Sequence, residues 1–168
     1  AEAFERVARE LPAARLLLVG DFEAGDPVPA ALATRLRRDP RIVLAGFVRD
    51  TAPYYPLMDI LAFPSHREGF PNAPLEAAAA GLPAVGFRVT GTLDAVVDGE
   101  TGRIVAPGDA GALAAALLDY LRDRDLRDRH GRAARERVER SFRRETVWRA
   151  WAEEYRRLLA GSVGESRR

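Results

Sequence analysis

Two glutamates, Glu68 and Glu76, stand with seven residues between them in LAFPSHREGFPNAPLEAAAAGLPAVGF, the stretch from Leu61 to Phe87. Paired carboxylates can act as general acid and general base across a scissile bond, as in a glycoside hydrolase. That work needs one of them to carry a raised pKa, and nothing in the neighbouring sequence predicts one. A carboxylate can instead accept two hydrogen bonds from adjacent hydroxyls, the pair of donors a sugar presents. The alanine-rich segment Asn72 to Ala80 predicts a short helix, with Asn72 as its cap and Gly81 and Pro83 as its stop. The N-terminus of that helix offers free N–H groups and the positive end of its dipole to phosphate oxygens. Glu76, just past the first turn, leans back toward the same end. Hydroxyl acceptors on both sides of a phosphate-receiving helix end fit a ligand with hydroxyl-rich ends and a phosphate centre, which is the layout of a nucleotide-sugar. Taken alone, Glu76 is equally an ordinary acidic residue near a helix N-terminus.

Other chemistries find no residues. The chain has no cysteine, so thiolate catalysis, disulfides and cysteine metal sites are excluded. Two separate histidines, His66 and His130, make no zinc pattern, and the acids make no calcium loop. Ser65 lacks the glycine context of a nucleophile elbow. The run VGDFEAGDP has neither dinucleotide-binding nor P-loop spacing. All 26 basic residues are arginine, and 25 acids leave a net charge of +1, so charge argues for neither nucleic acid nor membrane as a partner. Arginines crowd the stretch from Arg122 to Arg149, but they scatter around helical turns among acids. No aromatic residue interleaves with them before Phe142, so the stretch reads as a solvated, salt-bridged face. The sequence contains no signal segment and no long apolar run, which predicts a soluble, cytoplasmic protein. A first residue other than Met suggests a fragment of something longer.

The elements that must position these residues alternate. With 168 residues and 47% apolar content, one layered domain without repeat or linker is expected. Helical spacing covers Ala1 to Leu11, Ala30 to Arg38, about Thr51 to Met58 with Thr51 as cap, Ala110 to Leu121 and Asp123 to Arg140. Short apolar runs at Arg15 to Gly20, Arg41 to Phe47, Asp59 to Ser65, Pro83 to Phe87 and Gly102 to Ala106 read as buried strands, and residues 21–29 as a loop. The alternation predicts an α/β fold, a Rossmann-like three-layer sandwich on a mostly parallel sheet, with its ligand crevice beyond the carboxyl ends of the strands. In the last helix, predicted to start at Ser141, Trp148, Trp151, Tyr155 and Leu158 form one stripe. Such a stripe either packs on its own domain or reaches to another one.

The E-x7-E pair inside PSHREGFPNAPLEAAAAGLPAV resembles that of retaining glycosyltransferases of the two-domain GT-B type, in particular family 4. LLLVGD, VLAGFVRD with YYPLMDILAFPS, VVDGETGRIVAPGD and FRRETVWRAWAEEYRRLL resemble further pieces of their C-terminal, donor-binding half, so the likeness covers nearly the whole chain. It implies a single nucleotide-sugar-binding domain over residues 1–168 that lacks the family's first strand. The helix at 141–160 would face an absent N-terminal, acceptor-binding domain. The donor would be a UDP-, GDP- or ADP-sugar, with no cofactor and no metal. Glu68 would be the catalytic residue that contacts the sugar hydroxyls. Backbone N–H groups of Gly69, Phe70 and the residues around Asn72, Ala73, Pro74 and Leu75 would approach sugar and diphosphate. Glu76 would take the ribose hydroxyls, while Phe47 and Val48 would lie beside the base.

The sugar would keep its anomeric configuration, and any peripheral membrane contact would run through the absent domain. The family's phosphate-binding Arg and Lys belong to a segment upstream of Ala1, which implies that the fragment is inactive alone. The chain departs from the pattern after Phe87, where Thr90, Gly91 and Asp94 replace the usual Gly-Gly and Glu. A sugar-nucleotide 2-epimerase resembles the same fold but would bring His and further acids into the crevice. A non-catalytic nucleotide-binding or protein-interaction module would instead depend on Trp148 and Trp151.

Overall fold

The computed structural model describes residues 1–22, 25 and 27–165, with the side chains of 161–165 left out; part of the loop expected at 21–29 therefore lies outside the described residues. Each predicted apolar run contains a strand: β1 (Leu16–Val19), β2 (Ile42–Gly46), β3 (Leu61–Phe63), β4 (Ala84–Phe87) and β5 (Gly102–Val105). The helices are α1 (Glu2–Glu10), α2 (Ala30–Arg38), α3 (Asn72–Ala79), α4 (Thr90–Ala95), α5 (Ala110–Arg122), α6 (Arg124–Ser141) and α7 (Arg144–Glu165), with a 3-10 helix over Ala52–Leu57. All described strand pairs are parallel.

The strands form two sheets, β1-β2 and β3-β4-β5, where the alternation predicts one. Burial follows this division. Only β4, with a strand on each side and helices above and below, is buried along its whole length, whereas β1, β2 and β3 are at most half-buried. Val43 and Leu44 of β2 are both exposed although adjacent strand residues point to opposite faces. The two faces of β4 divide the core. Val85 and Phe87 pack with Ala3 and Val7 of α1 and with Leu113, Ala114 and Leu118 of α5. Ala84 packs the other way, with Ala95, Val96, Ile104 and the half-buried Leu75 of α3. Helices on both faces of parallel strands make the α/β, Rossmann-like layering expected from the sequence.

Helix ends show where local signals were read too simply. Asp109 and Asp123 cap α5 and α6 through side-chain oxygens that accept from Ala112 N–H and Leu126 N–H. Asn72 does not cap α3. The cap position is Pro71, in extended backbone, and Asn72 is the first helical residue. Helix α4 was not foreseen, because TGTLDA is too short and too polar to show a period. Ser141 ends α6 rather than starting the last helix.

His130 is buried against Tyr120, whose hydroxyl lies 2.7 Å from Nδ1. Burial lowers the imidazole pKa and pushes the phenol up to about 12, so a neutral pair joins α5 to α6. Part of the arginine-rich stretch pairs along its own helix, as Arg135 does with Glu139 and Arg124 with Asp128, whereas Arg122 and Arg127 reach Glu10 and Asp59. The aromatic stripe of α7 does not pack on the domain: Trp148, Trp151 and Tyr155 are 61%, 61% and 58% exposed. Their described contacts are local, the Arg144 guanidinium over Trp148 and Trp151 against Tyr155. No helix among the described residues is long and apolar enough to cross a membrane.

Helix α6 reaches the α3–β4 connection at Gly131, where a Cβ would overlap the backbone oxygen of Gly81 and touch Pro83. Gly131→Ala should therefore lower stability by about 1–3 kcal/mol, the usual cost of overpacking against backbone. Thermal or urea unfolding measures it, and an unchanged midpoint would show that α6 does not seat there.

Candidate functional site

Parallel strands deliver their outgoing loops to one edge. From the end of β2 come Phe47 and Val48, from β3 the loop with Ser65, Glu68, Gly69 and Phe70, and from β4 the short helix α4. Helix α3 starts at the same edge. Phe47 is 76% exposed, Val48 and Glu68 are half-buried, and Gly69 is exposed.

The Glu68 loop is held by its backbone. A Cβ placed on the buried Gly91 of α4 would stand 2.5 Å from the Gly69 oxygen and 3.0 Å from Glu68 Cβ, so α4 touches the loop there only because Gly91 has no side chain. Phe70 is pinned from a second side, with its ring centroid 5.7 Å from that of Phe142, just past α6. The Arg137 guanidinium lies 4.9 Å over the Phe142 ring and donates to the Asp94 and Ala95 carbonyl oxygens at 2.6 and 2.9 Å. Arg137 and Phe142 thus brace Phe70 and the end of α4 together. Sequence reasoning missed both, since Arg137 sits in an arginine-rich helix whose period points to solvent and Phe142 follows its end. Asp94 meets Arg137 through its backbone oxygen, and its side chain is exposed. The His66 ring sits edge-on to Phe87 at 5.3 Å.

At the start of α3, an ideal helix leaves the first amides without intrahelical acceptors. Pro71 and Pro74 have no N–H, so Asn72 and Ala73 supply the free donors of this turn. Asn72 is exposed and Ala73 half-buried. Pro74 is fully buried and Leu75 packs into the core beside β4, so these two seat the helix rather than donate.

Glu76 turns toward the 3-10 helix. Its Oε2 accepts from Thr51 Oγ1 at 2.8 Å and from the Tyr55 hydroxyl at 2.8 Å. Tyr55 is buried against Ala77 and Leu82, and burial followed by the Glu76 carboxylate pushes its pKa to about 12, which keeps the phenol a donor. Thr51 occupies the cap position of the 3-10 helix as expected, yet its side chain makes no cap bond; Asp50 Oδ1 accepts from Ala52 N–H instead. Neither partner of Glu76 was foreseen, because both lie more than 20 residues away in sequence. Among the described residues no group of three or more His, Asp or Glu is placed to hold a metal ion.

Residues 1–123 match the family described as Glycosyl transferases group 1. The chain is 36% identical over 151 residues to the capsular polysaccharide biosynthesis glycosyltransferase CapM of Staphylococcus aureus, covering 90% of this chain and 40% of that protein. Sucrose-phosphate synthase from Thermosynechococcus elongatus superposes with a TM-score of 0.81 at 30% identity, covering 95% of this chain and 42% of its own. Anabaena HepE, solved in complex with UDP, superposes with a TM-score of 0.82 at 25% identity, over 92% of this chain and 44% of its own. HepE has also been solved with UDP-glucose. The chain thus spans about two fifths of the length of these relatives.

The contact between Gly91 and the Glu68 loop yields a local test. Gly91→Ala should displace that loop and cost about 1–3 kcal/mol. Backbone NMR should then show the largest amide shifts at Gly69 and Phe70, with the β1–β2 amides unmoved; shifts spread evenly over the domain would contradict the contact.

Proposed function

The chain belongs to the glycosyl transferases group 1 family, and from that membership we propose that it is the C-terminal, nucleotide-sugar-binding half of a retaining GT-B glycosyltransferase of family 4. The observation that carries this reading is the convergence at one sheet edge of the Glu68 loop, the free amides of Asn72 and Ala73, and Glu76. HepE, which shares the fold, is known with UDP and UDP-glucose at a quarter sequence identity. In the proposal the donor diphosphate lies at the start of α3, where the two amides and the helix dipole face its charge. Glu68 accepts from the transferred sugar's hydroxyls, with the Gly69 and Phe70 amides beside it. Glu76 accepts from the ribose, and the exposed Phe47 ring, with Val48, flanks the base.

Transfer with retention then runs on one face of the sugar. The bond from the anomeric carbon to the diphosphate oxygen breaks, the bond to the acceptor oxygen forms, and the acceptor proton passes to the departing diphosphate. This route asks the protein for positioning and for charge on the diphosphate. Two amides supply only part of that charge. An Arg and a Lys from a segment before Ala1, and an acceptor-binding domain against the exposed face of α7, complete the proposed enzyme, and the chain alone is inactive. The 2-epimerase reading gains nothing from the histidines, since His66 rests on Phe87 and His130 is buried with Tyr120.

Calorimetric titration of the chain with UDP-, GDP- and ADP-sugars tests the proposal. One of them should bind weakly, and its sugar should add affinity over the bare nucleoside diphosphate. Glu68→Ala should remove most of that increment, about tenfold, as expected for hydrogen bonds to a charged acceptor. Failure of all three donors to bind would overturn the reading.

A further inference from the structure

The Glu76 carboxylate is met by more protein than a surface glutamate near a helix start requires. Both hydrogen bonds that the described residues give it fall on Oε2, from Thr51 Oγ1 and from the Tyr55 hydroxyl. An ionised carboxylate can accept about four hydrogen bonds, two at each oxygen. Oε2 is therefore saturated, while Oε1 takes no hydrogen bond from the described residues and keeps room for two donors. The two hydroxyls are themselves fixed. Tyr55 is 6% exposed, and its ring is wedged among Ala77, Leu82 and the half-buried Met58 and Leu61. The Thr51 hydroxyl makes no cap hydrogen bond, and its one proton goes to Glu76.

We infer that Thr51 and Tyr55 are positioning residues that lock Glu76 through Oε2 and thereby present Oε1, already oriented, to a pair of vicinal hydroxyls on the ligand. This rests on the proposed function, in which those hydroxyls are the ribose 2′- and 3′-OH. A flexible glutamate would lose side-chain entropy when it engaged a ligand; a glutamate held beforehand by two neutral donors has already lost it. Neutral donors suit the task, because a salt-bridged arginine in their place would draw on both oxygens at once. The 3-10 helix that follows β2 then has a definite job, and the YY pair in its sequence divides accordingly: Tyr55 points inward to the carboxylate, whereas Tyr54 is half-buried.

The test compares the nucleoside diphosphate, among UDP, GDP and ADP, that this chain binds most tightly with its 2′,3′-dideoxy counterpart. Tyr55→Phe and Thr51→Val should each weaken the ribonucleotide about five- to tenfold, as loss of a hydrogen bond to a charged group implies. The dideoxy ligand should change by less than about twofold, and Thr51→Ser, which keeps the hydroxyl, should behave as the unaltered chain. Anchoring of the 3-10 helix alone, without positioning, would lower the melting temperature and weaken both ligands equally, and that result would overturn the inference. Glu76→Ala separates the two levels. If it discriminates between the ligands while Tyr55→Phe and Thr51→Val do not, positioning fails and the ribose role stands. If Glu76→Ala does not discriminate either, or no nucleotide binds, the function on which the inference rests fails with it.

Discussion

Within each sheet the described strand pairs run parallel, so β1 and β2 end at one edge of theirs and β3, β4 and β5 at one edge of theirs. The rest of the site follows from that one constraint. Parallel neighbours cannot be joined by tight turns, and each strand must be followed by a crossover that returns the chain to the opposite edge. The loops that begin those crossovers therefore accumulate side by side. Glu68 and Gly91 are far apart in sequence, and they meet because β3 and β4 discharge in one direction, while the hydrogen bonds from Thr51 and Tyr55 to Glu76 hold the segment after β2 against α3. A mixed sheet from the same segments would have scattered them over two edges.

Small residues convert that crowding into contact. Gly91 lets α4 rest on the backbone of Gly69, and a Cβ on Gly86 would stand 2.6 Å from Thr92 Cγ2, so β4 admits the same helix by lacking a side chain. Gly131 does the equivalent for α6 beside Gly81. Ala77 and Ala78 bring α3 close to its neighbours, and both are buried. Larger side chains at these points would hold helices away from the sheet and the loops away from one another, leaving the acids without a common edge. The apolar core thus serves the site through what it omits as much as through what it fills.

Much of this was legible in sequence because it is written in periods and punctuation. The strands announced themselves as short apolar runs bounded by Gly or Pro, and the helix starts near Ala110 and Asp123 followed from helical spacing. What stayed hidden depends on partners that the local sequence does not contain. Asn72 looked like a cap by its chemistry, but Pro71 in extended backbone already occupies that position. Helix α4 has less than two turns and no amphipathic repeat, so only its packing against Gly69 reveals it. Arg137 and Phe142 read as solvated face and helix terminus, and only folding puts one over the other. The division into two sheets, and the bare aromatic face of α7, depend on what neighbours each element has, which no propensity encodes.

The two acids that looked like a pair are held by unlike means. Glu68 owes its place to backbone, through the Gly69–Gly91 contact and the bracing of Phe70 by Phe142, and no described residue bonds its carboxylate. Glu76 owes its place to its side chain, tied at one oxygen by Thr51 and Tyr55. A symmetric acid–base couple would need both groups trained on one bond with comparable rigidity. Under the proposed function, the difference has a simple origin. The ribose is the same in UDP-, GDP- and ADP-sugars, so a carboxylate fixed in advance costs nothing in range among them and removes an entropic penalty at each binding event. The sugar is the part that differs among donors, and a carboxylate on a fixed loop, not tied by a described partner, can meet hydroxyls of more than one stereochemistry. Rigidity is placed where the ligand is constant, and freedom where it varies.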